Sequence, residues 1–167
     1  MTIVNLMYEN NKNLFSIPVI LTKKRRSSLG GMPGQVAINE WCNVVMYLDT
    51  GSNLTSITEK EVKRLNLDER LFKDQRVGGI GGFVDTPTTD EVGIYVMSDK
   101  GALPVMLERI AVHPSEIRKK IRKNSGMFVQ KGEQTVEMIS LFGLDALEKL
   151  GGVLEIDMKN KTGKVNI

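Results

Sequence analysis

Residues 44–57, "VVMYLDTGSNLTSI", run apolar until a single carboxylate, Asp49, which is followed at once by Thr50 and Gly51. A carboxylate at the end of a packed strand costs free energy unless it is hydrogen-bonded or used. Two readings fit these residues. In the first, Asp49 closes an Asx turn by accepting backbone amides two residues ahead. In the second it is an acid–base group presented on a tight loop, where Gly51 lets a ligand approach the backbone and "NLTSI" returns the chain to an apolar strand.

Two further stretches carry chemical information. In "VGGIGGFVDTP", residues 77–87, four glycines surround Ile80 and Phe83 follows. The Lys-Ser or Lys-Thr ending of a phosphate-binding loop is missing, and no helix pattern follows to offer its N-terminus. The glycines suit a hairpin tip whose open amides and carbonyls bond an extended peptide while Ile80 keeps water out. In "VEMISLFGLDALEKLGGVLEID", residues 136–157, an apolar strand meets Gly143 and enters a helix directly.

The elements that must position these groups are mostly strands. "FSIPVILT", "GQVAI" and "NVVMYL" are β-branched and apolar, and "KKRRSSLGGMPG" between the first two reads as a loop. "TEKEVKRLNL" begins with Thr58 and has Glu61 three residues on, a capping box that predicts a short helix. "DEVGIYVMS" and "LPVMLERIAV" read as two strands, "LDALEKL" as a short helix, and the C-terminal seventeen residues as a hairpin turning around Lys161 to Gly163. The chain of 167 residues is the size of one domain. One cysteine, Cys42, and one histidine, His113, leave no intrachain disulfide and no expected structural metal or other cofactor. The first twenty residues lack a basic leader before an apolar core, and no window approaches about 18 apolar residues, so a soluble, cytoplasmic chain without a membrane segment is expected.

Taken in order, the three stretches resemble the retropepsin-like aspartic proteases, the single-domain family that includes the retroviral enzymes. That family has an Asp-Thr-Gly after an apolar strand, a "GGIGGF" flap, and an apolar strand ending in a glycine beside a helix. Here these stand as Asp49-Thr50-Gly51, residues 78–83, and Leu141-Phe142-Gly143-Leu144-Asp145. The resemblance covers residues 17–167 and leaves 1–16 as an N-terminal extension or first strand. It implies a mostly β, retropepsin-like acid-protease barrel of one lobe, with short helices and an insertion after the flap. It also implies an aspartic endopeptidase with a peptide or protein substrate. Peptide hydrolysis by this route needs two facing carboxylates, one ionised and one protonated. The chain has one Asp-Thr-Gly, so activity implies a homodimer with one Asp49 per subunit. By the same resemblance Asp49, Thr50 and Gly51 form the catalytic triplet, while Ser52, Asn53, Val77, Gly78, Gly79, Ile80 and Leu141 line or support the substrate site.

Two departures bear on that site. Retroviral members pair an arginine after the second glycine with an acidic residue after the triplet; here Leu144 and Asn53 stand at those positions. Ser52 stands where retroviral enzymes usually have alanine, and a hydroxyl donating to the carboxylate would favour its ionised form and a more acidic optimum.

The basic charge gathers in "KKRR", residues 23–26, and "RKKIRK", residues 118–123, within a chain of net charge +3. Ile117 and Ile121 lie one helical turn apart with Ser115 as a cap, which predicts a surface helix with a solvated basic face. No aromatic platform sits between the charges, so nucleic acid is not expected as a partner. The rival to the protease is a catalytically silent module of the same fold, used for dimerisation or peptide binding. The complete triplet and flap argue against it, since an adaptor needs neither an ionisable pair nor a water-excluding lid.

Overall fold

The computed structural model describes residues 1–24, 40–79, 82–125 and 128–167, with side chains described outside 78–83 and 119–132. The protein is mostly β. Strands β1 (Ile3–Glu9), β2 (Leu14–Lys23) and β3 (Trp41–Leu48) are successive antiparallel neighbours, with Ile17 opposite Met46 and Val19 opposite Val44. Alternation decides their faces. Cys42, Val44 and Met46 of β3 are buried, whereas Trp41, Asn43 and Val45 are exposed. Short β4 (Ser56–Thr58) leads into α1 (Glu59–Arg64), whose N-terminus carries the expected capping box between Thr58 and Glu61.

After a 3-10 turn at Glu69–Leu71 come β5 (Lys73–Gly79) and β6 (Gly82–Thr89), an antiparallel hairpin in which Val77 faces Val84 and Gly79 faces Gly82. They are followed by β7 (Val92–Ser98), β8 (Gly101–Val105), β9 (Ile110–His113), β10 (Glu116–Ser125) and β11 (Phe128–Glu137). The chain ends with β12 (Leu141–Phe142), α2 (Leu144–Leu150), β13 (Val153–Asp157) and β14 (Thr162–Asn166). Gly151 stops α2 in the left-handed region at φ 67°, a conformation that favours glycine.

The main sheet runs β13-β14-β1-β2-β3-β12-β4-β9-β6-β5, with β7 and β8 branching from β2; among the described residues this path does not close on itself. One apolar cluster, including Val4, Ile17, Met46, Ile57, Leu65, Ile94, Ile110, Phe142 and Val165, joins β1–β4, β7–β9, β12, β14 and both α-helices. It excludes water from residues drawn from both ends of the chain, the main source of stability for such a fold.

Three expectations are corrected. Residues 115–124, expected as a helix capped by Ser115, fall mostly in strand β10. The four-residue spacing of Ile117 and Ile121 puts them on one side of a helix and on one side of a strand alike, so it does not discriminate. Pairing with β11 decides for the strand. "LPVMLERIAV" is two strands, because β8 pairs with β7 while β9 pairs with β4 and β6. The last hairpin turns at residues 158–161, before the expected position: Lys161 adopts φ 54°, Asp157 caps the turn through the Lys159 and Asn160 amides, and Gly163 is already paired in β14. The expected "GQVAI" strand and most of the loop before it lie outside the described residues.

Candidate active site

Asp49 sits one residue past β3, and its position depends on a strand from the far end of the chain. The two residues of β12 slot between β3 and β4: Phe142 pairs in parallel with Leu48, and Leu141 pairs with Tyr47 on one side and Ser56 on the other. The Asp49 amide donates to the Phe142 carbonyl at 3.1 Å and the Tyr47 amide to Ser140 at 2.9 Å. Phe142 is fully buried, so this slot is held by apolar packing as well as by the ladder.

The loop itself is an Asx turn. The Asp49 Oδ1 accepts the Gly51 amide at 2.9 Å, and the Asp49 carbonyl accepts the Ser52 amide at 3.2 Å. A Cβ at Gly51 would stand 3.2 Å from that carboxylate oxygen, so glycine keeps the loop close to the acid. Among the described residues no other group hydrogen-bonds the Asp49 carboxylate. Asp49 is half-buried, while Thr50, Gly51 and Asn53 are exposed. The two sequence readings of Asp49 are therefore compatible, one oxygen closing the turn and the other remaining for chemistry.

Ser52 differs from expectation. Its hydroxyl donates to the Leu54 carbonyl at 2.8 Å rather than to Asp49, and its carbonyl accepts the Leu144 amide at 2.9 Å. The Leu144 backbone thus ties the second glycine segment to the Asp49 loop at the position where an arginine was expected.

Behind the loop lies a cluster that the sequence reading did not single out. Thr55 is fully buried; its hydroxyl donates to Asp145 Oδ1 at 2.6 Å and accepts the Gly143 amide at 3.1 Å. The same Asp145 oxygen takes the Thr55 amide at 2.9 Å and the Ala146 amide at 2.8 Å. Asp145 is half-buried; a buried carboxylate, Glu61, accepts the Thr58 amide and hydroxyl and the Ser140 hydroxyl, locking the start of α1 to the residue before β12. The capping box made Glu61 legible; Ser140 and the Thr55–Asp145 pair had no local signal.

The glycine-rich hairpin grows from the same sheet. β6 pairs with β9 through Thr88 and Thr89, and β9 pairs with β4, so β5 and β6 connect through two strands to the loop bearing Asp49. Val77 is half-buried, Gly78 and Gly79 end β5, and Leu141 is half-buried in β12; Ile80 lies outside the described residues. A groove of about 420 Å³ lies between Leu54, Gln75 of β5, Leu107 to Arg109, and Asp145 and Lys149 of α2. No group of three or more His, Cys, Asp or Glu able to hold a metal occurs among the described residues. No helix among them is long and apolar enough to cross a membrane. No protein-family model matches the chain, and no curated protein matches its sequence.

Proposed function

We infer that the chain is a retropepsin-like aspartic endopeptidase, one lobe of an acid-protease barrel that acts as a homodimer. The observation that carries this is the slot of β12 between β3 and β4, which buttresses the Asp49-Thr50-Gly51 loop from behind and leaves its apex uncovered. A loop held rigidly from one side and open on the other suits a group that must meet a second copy of itself. One carboxylate cannot serve as acid and base at once, so the second is Asp49 of another subunit across a two-fold axis.

With two carboxylates facing, one stays protonated in moderately acidic solution. The ionised one takes a proton from a water lying between them, and that water's oxygen attacks the scissile carbonyl, which the protonated one polarises. The tetrahedral intermediate then loses its amine as the C–N bond breaks and a proton passes to nitrogen. Gly51 and Asn53 supply backbone bonds to the peptide, Thr50 ties the two loops together, and the β5–β6 hairpin covers the site.

The test is cleavage of a mixed peptide library between pH 3 and 7 by wild type and Asp49→Asn, with and without a statine-type inhibitor. Acidic, inhibitable cleavage that disappears in Asp49→Asn supports the reading. A folded dimer that cuts nothing across this range overturns it in favour of the silent peptide-binding module.

A further inference from the structure

We propose that the β10–β11 ribbon is a nucleic-acid-binding arm that grips duplex phosphates without reading sequence. Residues 116–137 contain six Lys and Arg (Arg118, Lys119, Lys120, Arg122, Lys123 and Lys131) and three Glu, and six less three is +3, the net charge of the whole chain. The other residues are therefore neutral in sum. Between Arg118 and Lys131 there is no acidic residue at all.

The backbone sets this charge apart. β10 and β11 form a two-stranded sheet of their own, in register from Glu116 opposite Glu137 to Ser125 opposite Phe128. Ten residues of strand span about 34 Å, close to one turn of B-form duplex, whose major groove admits a two-stranded ribbon. The base is anchored: the Ser115 carbonyl accepts the Met138 amide at 2.8 Å, and the Ser115 hydroxyl accepts the Lys60 amide at the start of α1 at 2.9 Å. Strand residues alternate between two faces. Positions 119 and 120, like 122 and 123, are adjacent in β10, so the strand register places the members of each pair on opposite faces of the ribbon. A planar anionic lipid surface meets one face only, whereas a groove encloses a ribbon between two phosphate strands. Phe128 is the one aromatic residue in the ribbon, so a stacking platform for single strands is lacking and the duplex is favoured. The expectation against nucleic acid rested on the missing aromatic platform, which a duplex held through its phosphates does not need.

The experiment is a polarisation titration of a labelled, random-sequence 25-base-pair duplex at salt concentrations from 50 to 200 mM. Wild type should bind with a slope of log K against log salt near −0.9 per phosphate engaged, about −4.5 to −5.4 for five or six contacts. The variant Lys119→Gln, Lys120→Gln, Arg122→Gln, Lys123→Gln should bind at least tenfold more weakly with a slope shallower by about 3 to 4. Its fold is checked by circular dichroism, and the pair Arg122→Gln, Lys123→Gln serves if the fourfold variant does not fold. A control removes the same charge from exposed lysines elsewhere, Lys60, Lys63, Lys100 and Lys159, and should bind like wild type. No binding to the duplex at 50 mM salt overturns the proposal. So does an equal loss in the control, or binding to phosphatidylserine vesicles with none to duplex.

Discussion

The Thr55 hydroxyl donates to the Asp145 carboxylate across 2.6 Å, joining residues 90 positions apart behind the loop that presents Asp49. Because the Thr55 amide and the Ala146 amide share the same oxygen, Asp145 is the acceptor on which three donors depend. Asp145→Ala strands buried donors and should destabilise the protein by about 1–3 kcal/mol, while Asp145→Asn, which retains an acceptor oxygen, should lose less. Urea unfolding of the two variants beside wild type measures both; equal losses would show that the acceptor is not what the cluster needs.

Gly143 packs where no side chain fits. A Cβ there would lie 2.6 Å from the Leu54 carbonyl carbon and 2.8 Å from the Thr55 nitrogen, and these backbone atoms cannot rotate aside. Gly143→Ala should therefore cost about 1–3 kcal/mol through forced backbone shifts. On the proposed endopeptidase reading, kcat in the peptide-cleavage assay should fall more than the lost stability alone explains, since Leu54 and Thr55 follow directly on the Asp49 loop. Unchanged stability would show that the approach relaxes freely.

Ser52→Ala separates two roles for one hydroxyl. With Oγ committed to Leu54, the pH profile of cleavage should stay where wild type has it, and stability should fall by about 0.5–1.5 kcal/mol for the lost turn bond. An alkaline displacement of the profile would mean that the hydroxyl reaches Asp49 in the proposed dimer.

Lys12 donates to the Tyr47 hydroxyl at 2.5 Å and lies 4.2 Å from the ring centroid, while the same hydroxyl donates to Glu9 at 2.7 Å. The bond to Tyr47, opposed in part by desolvation, holds the Lys12 ammonium above its ordinary value of 10.5. A cation whose folded pKa is raised adds stability that is fully present below the unfolded value and lost as pH rises through the folded one. Tyr47→Phe keeps the ring and removes the bond. The difference in melting temperature between wild type and this variant should be constant up to about pH 10 and shrink above it; a difference that grows there contradicts the assignment.

Much of the structure around the candidate site was legible because its signals are local. The Thr58–Glu61 capping box needs only a three-residue spacing, and the glycines at 78–82 declare a hairpin by what they lack. The burial of Cys42, Val44 and Met46 follows from the period of a strand. The basic segment was misread for an equally physical reason: Ile117 and Ile121 satisfy both helical and strand spacing, and the segment's partner lies beyond it in the chain.

By itself the sequence determined that one carboxylate, Asp49, closes an apolar strand beside a flexible glycine, that a glycine-rich hairpin follows, and that most of the chain is strand, since these depend on neighbours within a few residues. Only the tertiary structure decided that β12 slots between β3 and β4, that Asp145 holds Thr55, that the Ser52 hydroxyl turns to Leu54, and that the basic segment is a ribbon. Each of these was settled by the need of buried backbone and hydroxyl groups for partners, or of one strand for another. Which partner lies within reach is decided by how the whole chain packs.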